Sequence, residues 1–182
     1  DPLTDLQSSG ATIAIHSSVG GGVIIAGIGE ADDPDDDGDL VTEAAGDTND
    51  DASSTIISLG TEAALLISAD PSGDLILGPI TGVNAPAGAF GLQNQGIIRS
   101  SGVYEGKDAV GVRIEGILAG SAVNLGDGFV NDGEITAAAF EAGATAVSIG
   151  SNVIGGRLLN NNLISSGVTS DTAQQAYALL LE

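Results

Sequence analysis

One seven-residue frame occurs three times in the second half of the chain. It runs apolar-x-Asn-x-(Gly or Asn)-x-Ile, and it is found at residues 92–98 (LQNQGII), 129–135 (FVNDGEI) and 158–164 (LLNNNLI). A frame that recurs at spacings of tens of residues indicates an architecture of stacked, similar units. It constrains the fold strongly, because each copy must occupy the same place in its own unit.

The frame has an Asn at its third position and a Gly or Asn at its fifth. These pairs are Asn94 and Gly96, Asn131 and Gly133, and Asn160 and Asn162. Gly and Asn are the residues that most readily accept a left-handed backbone, so we interpret each frame as strand, tight turn, strand. An Asn at the same point of every unit also allows its side-chain amide to stack on that of the next unit, as in other stacked β structures.

A second phrase precedes the later turns. Residues 109–114 (AVGVRI) resemble residues 145–149 (TAVSI), and residues 177–181 (YALLL) are a candidate third copy. The first two alternate apolar with small or polar residues, which is typical of a strand. Residues 171–181 are also compatible with a capped helix, but we favour a strand because the repeat predicts one there.

The first half of the chain is less regular. Residues 12–15 (TIAI) resemble residues 55–59 (TIISL), and each is followed by a second apolar run, at 23–25 (VII) and 65–67 (LLI). We therefore interpret these pairs of runs as equivalent strands of two successive units. Comparable strands are unevenly spaced, so the loops between them differ in length.

The composition is compatible with thin, regular layers. Apolar residues make up 42% of the 182 residues but aromatic residues only 3%, and Trp, Met and Cys are absent. The core must therefore consist of Val, Ile, Leu and Ala. The length is that of one domain. We predict an all-β solenoid over residues 1–182, with an acidic loop inserted at about residues 30–53.

Residues 145–150 (TAVSIG) and 157–165 (RLLNNNLIS) resemble the passenger-domain repeats of bacterial autotransporters, especially alphaproteobacterial ones. The resemblance covers residues of about 88–182 well and about 10–70 loosely, and it consists of a pattern of turns and strands. It implies a right-handed parallel β-helix with variable loops that is exported to the bacterial cell surface. The family's C-terminal outer-membrane barrel is not present in these 182 residues, so the resemblance implies a fragment or a released passenger.

The net charge of −21 excludes several classes of partner. The chain has only four basic residues, Arg99, Lys107, Arg113 and Arg157. Nucleic acids and anionic membranes attract basic patches, so we expect neither as a partner. No apolar run approaches the roughly 18 residues of a spanning helix, so we expect no membrane insertion by this segment. The absence of Cys fits either a reducing cytosol or a secreted bacterial protein without disulfides.

The segment from Glu30 to Asp51 contains eleven acidic residues in 22 positions. Its centre begins like a calcium loop, in which oxygen ligands alternate and a Gly makes the bend. Gly38 and Leu40 fit the bend and the apolar anchor, but Ala44 stands where a bidentate Glu is needed. The alternative is a solvated acidic loop without a bound ion. The candidate calcium ligands are Asp33, Asp35, Asp37, Asp39 and Glu43.

Nothing in the sequence indicates a catalytic site. His16 is the only histidine, no nucleophile-elbow motif is present, and a zinc site would need more His or Cys. Some β-helices cleave polysaccharides, but the basic residues that hold an acidic glycan and the aromatic residues that hold sugar rings are few. We therefore expect no enzymatic activity, and we weigh a polysaccharide-active enzyme and a calcium-dependent binding module as alternatives.

The predicted function is structural: an extracellular scaffold, adhesin stalk or filament subunit, with calcium as a candidate stabilising ion. Solenoids need polar caps, because an open coil exposes an unpaired sheet edge. The apolar residues 177–181 are followed by no such cap within the chain. We therefore expect end-to-end self-association through strand addition, or a longer parent chain that continues the stack.

Overall fold

A computed structural model describes residues 10–26, 54–82, 85–117, 119–155 and 157–182. This part contains β-strands and no helix, so it holds no helix that is long and apolar enough to cross a membrane. The strands in chain order are β1 (Ile13–Ile15), β2 (Val23–Ile25), β3 (Thr55–Ser58), β4 (Leu65–Ser68), β5 (Leu75–Ile76), β6 (Leu92–Asn94), β7 (Ile97–Gly102), β8 (Ala109–Glu115), β9 (Val123–Asn124), β10 (Gly128–Asn131), β11 (Glu134–Phe140), β12 (Ala144–Ile149), β13 (Val153–Ile154), β14 (Arg157–Asn160), β15 (Leu163–Thr169) and β16 (Ala176–Leu181).

The strands form four parallel sheets. Sheet 1 contains β1, β4, β8, β12 and β16; sheet 2 contains β5, β9 and β13; sheet 3 contains β2, β6, β10 and β14; sheet 4 contains β3, β7, β11 and β15. Where the first coil has no strand in sheet 2, Val19 forms a parallel bridge with Leu77 beside β5. The chain thus passes through sheets 1, 2, 3 and 4 in the same order in every coil.

The coils lie in register at the repeated frame. Leu92 pairs with Phe129, and Phe129 pairs with Leu158, in the parallel ladders of sheet 3. The chain is therefore a parallel β-helix, as the repeats predict, and the right-handed sense of the coil stays a prediction. Successive copies of the frame differ in loop length, since Asn94 and Asn131 are 37 residues apart but Asn131 and Asn160 are 29 apart.

The second repeated phrase forms sheet 1. Thr145 of β12 pairs with Val110 of β8 on one side and with Tyr177 of β16 on the other. Residues 176–181 are thus a strand, and the alternative of a C-terminal helix is wrong. The reason is tertiary, because pairing with β12 satisfies the backbone of a segment whose residues also favour a helix.

The pairing that we predicted for the first half is wrong. Ile13 of β1 pairs with Leu65 of β4, whereas Thr55 of β3 pairs with Ile97 of β7. The runs TIAI and TIISL therefore belong to different sheets. Short apolar runs are alike in any of the four sheets, so likeness alone did not identify the sheet that each run joins.

The core is a set of stacked, mostly aliphatic side chains inside the coil. The prediction of Val, Ile, Leu and Ala alone is wrong at Phe129, which is 1% exposed and lies between Leu92 and Leu158 in sheet 3. In sheet 1, Leu65, Val112 and Val147 occupy one ladder and are at most 1% exposed. In sheet 4, Ile98 and Ile135 are paired and completely buried. Burying each such side chain contributes about 1.5–3 kcal/mol. Small β-branched and Leu side chains fit because equivalent positions of successive coils lie directly on one another.

The corner between sheets 3 and 4 varies most along the stack. In the second coil Gln95 and Gly96 alone connect β6 to β7. In the first coil the equivalent strands, β2 and β3, are connected by residues 26–54. The acidic segment therefore belongs to the connection that stands in place of the short asparagine turn of the later coils.

Candidate functional site

The asparagines of the repeated frame form a hydrogen-bonded ladder at the corner between sheets 3 and 4. Asn94 Nδ2 donates to Asn131 Oδ1 at 2.8 Å, and Asn131 Nδ2 donates to Asn160 Oδ1 at 2.7 Å. Asn94 and Asn131 are completely buried. The ladder starts at Asn94, since Ile25 occupies the equivalent position in the first coil.

Each of the two buried asparagines also closes its own turn. Asn94 Oδ1 accepts from the Gly96 N–H at 3.2 Å, while Asn131 Nδ2 donates to Gly133 O at 3.0 Å. Asn131 Nδ2 further donates to Leu163 O of the next coil at 3.2 Å. The amides of Asn94 and Asn131 are therefore satisfied both within a coil and between coils, as most buried polar groups are.

A second, outer ladder lies beside the first. The Asp132 carboxylate accepts from Gln93 Nε2 at 2.8 Å and from Asn161 Nδ2 at 2.7 Å. None of these three residues was predicted from the sequence to have a role. Their positions in the sequence could have indicated this role, because each stands immediately before or after a ladder asparagine and can therefore reach the neighbouring coil.

Glycine occupies the fifth position of the frame for a different reason from the one we predicted. Neither Gly96 nor Gly133 adopts a positive φ. Instead, a Cβ on Gly133 would collide with the carbonyl oxygen of Gly96, and a Cβ on Gly96 would collide with Ser54. Glycine is thus required by the close approach of one coil to the coil before it. Asn162, in the last coil, also lacks a positive φ, and its amide donates to Asp132 O at 3.1 Å.

The left-handed positions lie at other corners. Glu141 has φ 53° and Asn152 has φ 57°, and the sequence patterns identified neither. Asn152 Nδ2 donates to Gly120 O at 2.8 Å and to Ile117 O at 3.1 Å, so it ties its corner to the coil before it.

Glu141 joins two coils at the corner between sheets 4 and 1. Its carboxylate accepts from Ser170 Oγ at 2.5 Å and from the Asp171 N–H at 2.7 Å. The hydrogen bond from the Ser170 hydroxyl, and to a lesser extent that from the Asp171 amide, lowers the pKa of the Glu141 carboxyl below its ordinary value. These bonds favour the ionised form, so protonation weakens the contact between the coils.

We expect Glu141→Gln to reduce the acid sensitivity of the fold. A carboxyl whose pKa is depressed in the folded state stabilises that state above the unfolded pKa of about 4.3, and this contribution is lost as the pH falls through the folded pKa. Urea unfolding at neutral pH and at pH values below the folded-state pKa of Glu141 measures this contribution. The wild type should lose more stability than the variant over that interval.

Ser170→Ala serves as the matched control, because it removes the donor instead of the acceptor. It should flatten the pH profile in the same direction, and the double variant should add little to either single one. Parallel pH profiles for the wild type and Glu141→Gln would contradict this role.

The predicted calcium ligands lie outside the described residues; they are Asp33, Asp35, Asp37, Asp39 and Glu43. Among the described residues, no group of three or more His, Asp or Glu side chains is arranged to hold a metal ion. Calcium binding by the acidic segment therefore stays a prediction.

The last coil, β13 to β16, presents inward-facing apolar side chains at the end of the stack. Leu179 and Leu181 continue the ladders of Val147 and Ile149, but they are 40% and 68% exposed, whereas Val147 is completely buried. Each of these four strands is the edge of its sheet among the described strands. This end face, defined by β13 to β16, therefore offers both unpaired backbone and uncovered core positions.

Comparison of the chain with protein-family models, with curated proteins and with solved structures found no match. The stacked parallel sheets establish a β-solenoid, and the resemblance to autotransporter passengers stays a prediction.

Proposed function

We propose that this protein is a structural, non-enzymatic β-helix of the bacterial cell surface, serving as a scaffold, adhesin stalk or filament subunit. The observation that supports this most is the continuous register of the coils, with a buried amide ladder along one corner. Buried, fully paired polar networks rigidify a structure and specify one arrangement. A stack of this kind resists bending and sliding between coils.

The charges of the described residues support the same proposal. Three arginines lie close to carboxylates: Arg99 to Glu134 at 3.5 Å, Arg113 to Glu62 at 3.9 Å and Arg157 to Asp127 at 3.1 Å. Arg157 also lies over the Phe90 ring, at 4.7 Å from its centroid. These cations are thus engaged in contacts within the protein, which leaves a strongly acidic surface that favours solubility and repels polyanions.

The cell-surface location is testable on the source bacterium. An antibody raised against the 182-residue protein should label intact cells as strongly as permeabilised ones. Labelling that requires permeabilisation would contradict the location, while the structural role would still be open to the association test that follows.

We further propose that the strands of the end face pair with those of another coil. In the isolated protein this coil belongs to a second copy of the chain. Exposed strand edges pair readily with other strands, and a head-to-tail contact of this type extends into filaments. The opposite end of the stack begins with β1, where Ile13 pairs with the buried Leu65 but is itself 41% exposed. Both ends thus present parallel strands with uncovered core positions.

Sedimentation velocity at increasing protein concentration tests this contact. The wild type should associate, and Leu181→Lys should shift it to monomer, because a lysine at a strand edge blocks pairing. Val103→Lys is the matched control, since Val103 is 52% exposed on the loop after β7 and away from the end face. A wild type that stays monomeric at all concentrations would overturn the filament form of the proposal.

A calcium-binding role for the acidic segment is a second proposal. It is supported by the alternate spacing of Asp33, Asp35 and Asp37 in the sequence. Thermal melts with calcium and with a chelator test it, because a bound ion raises the melting temperature. Identical melts under both conditions would overturn it.

A further inference from the structure

A cavity of about 570 Å³ lies on the outer face of sheet 1, where β8, β12 and β16 run side by side. Its size falls within the roughly 300–1,000 Å³ of small-molecule sites. It lies away from the asparagine corner. It shares β16 with the end face, but the proposed end contact uses the edge of that strand, whereas the cavity lies on the outer face of the sheet.

Two rungs of the sheet line this cavity. The first rung directly follows Ala109 and Ala144 along the strands, and the second directly follows Val112 and Val147. All four belong to the buried core, so the rung side chains lie on the opposite, outer face. The chain has two tyrosines, and the ring of Tyr177 is the aromatic group at the cavity. One rung consists of Val110, Thr145 and Tyr177, and the other of Arg113, Ser148 and Leu180.

Polar groups of both kinds surround the rungs. Gln174 and Gln175 lie at one end with Asp108, whose Oδ1 accepts from the Gly143 N–H at 2.8 Å. Glu115 and Glu182 lie at the other end. Hydrogen-bond donors and acceptors are therefore interspersed along a strip as long as the seven residues of β8, or about 23 Å.

We propose that this cavity binds a neutral oligosaccharide. The carboxylates and the net charge of −21 oppose a polyanion. Arg113 in the middle of the strip separates the carboxylates at its two ends, so the cavity presents no continuous acidic surface to a polycation. A chain of neutral sugars presents hydroxyl groups that both donate and accept, which matches the mixed lining. The Tyr177 ring supplies the apolar surface on which a sugar ring packs.

The experiment is calorimetric titration of the 182-residue protein with neutral tetrasaccharides of glucose, mannose, galactose and N-acetylglucosamine. At least one should bind at millimolar or lower concentration, and Tyr177→Ala should weaken it by about tenfold, as expected for loss of an aromatic contact. Tyr104→Ala is the matched control, because Tyr104 is 41% exposed on the loop between β7 and β8 and does not line the cavity. It should bind as the wild type does.

Gln174→Ala gives a second variant at the exposed rim, in case Tyr177→Ala fails to fold, and thermal melts verify the fold of each. Loss of binding in Gln174→Ala, with an unchanged melt, supports the site. The proposal is overturned if no neutral tetrasaccharide binds, if Tyr104→Ala weakens binding equally, or if only galacturonic acid or glucosamine tetramers bind. Wild-type affinity in a folded Tyr177→Ala would overturn it too. These outcomes are independent of the association and surface-labelling tests.

Discussion

Replacing Asn131 by leucine is expected to lower the free energy of unfolding by about 3–5 kcal/mol, because it leaves several buried polar groups without a partner at about 1–3 kcal/mol each. The Asn131 amide donates to Asn160 Oδ1, Gly133 O and Leu163 O, and it accepts from Asn94 Nδ2. Leucine has nearly the same size, so the loss reports the hydrogen bonds and not a cavity. Urea unfolding followed by far-ultraviolet circular dichroism measures it.

Asn161→Leu is the matched control for this substitution. Asn161 directly follows the ladder residue Asn160, but it is exposed and belongs to the outer ladder, where its amide donates to Asp132 Oδ1 at 2.7 Å. Its replacement should cost less than about 1 kcal/mol, as is usual for an exposed surface residue. Equal losses for Asn131→Leu and Asn161→Leu, or no loss for either, would contradict the role of the buried ladder.

Replacing Gly133 by alanine is expected to lower the free energy of unfolding by about 3 kcal/mol, the upper part of the range for overpacking. The new Cβ would overlap the Gly96 carbonyl oxygen and approach the Gln95 carbonyl carbon at 2.8 Å. Both are backbone atoms, so relief requires the two coils to separate. The loss should be visible as a lower urea midpoint and a lower melting temperature.

Gly133→Asn separates the two explanations for this glycine. If a left-handed backbone were the reason, Asn would be tolerated, because it accepts that conformation well. If close approach is the reason, Asn should cost at least as much as Ala, since it also has a Cβ.

Gly167→Ala is the matched control for the glycine series. Gly167 lies in β15, and a Cβ there would meet nothing within 4 Å. This variant should be neutral or slightly more stable, because alanine reduces the conformational freedom of the unfolded chain. A loss as large as that of Gly133→Ala would show that the effect is not specific to the contact between coils.

The repeated frame made the later coils predictable. It placed Asn94, Asn131 and Asn160 at one corner and allowed an amide ladder there, which the structure contains. Alignment of the second phrase likewise identified β16 as a strand against its helical propensity. In both cases the same local pattern recurs, so that each copy supports the interpretation of the others.

The first half lacked this support. The runs at residues 12–15 and 55–58 are similar in composition but occupy sheets 1 and 4. Local patterns specify a strand, whereas the sheet that a strand joins depends on how many corners precede it. Because the loops differ in length, the number of corners cannot be counted from the sequence.

Side-chain contacts across coils could not be predicted from local patterns either. Glu141 and Ser170 are 29 residues apart, and neither belongs to the repeated frame. The cavity beside Tyr177 similarly combines residues from three strands that are neighbours only in space.

The sequence by itself determined that the chain stacks, because repeated apolar and Asn positions are satisfied together only when equivalent residues lie on one another. Only the tertiary structure decided which strands share a sheet and why glycine occupies the turns. Both depend on distances between coils, such as that between Gly133 and the Gly96 carbonyl. A local pattern specifies conformation along the chain, whereas contact between coils is set by packing across it.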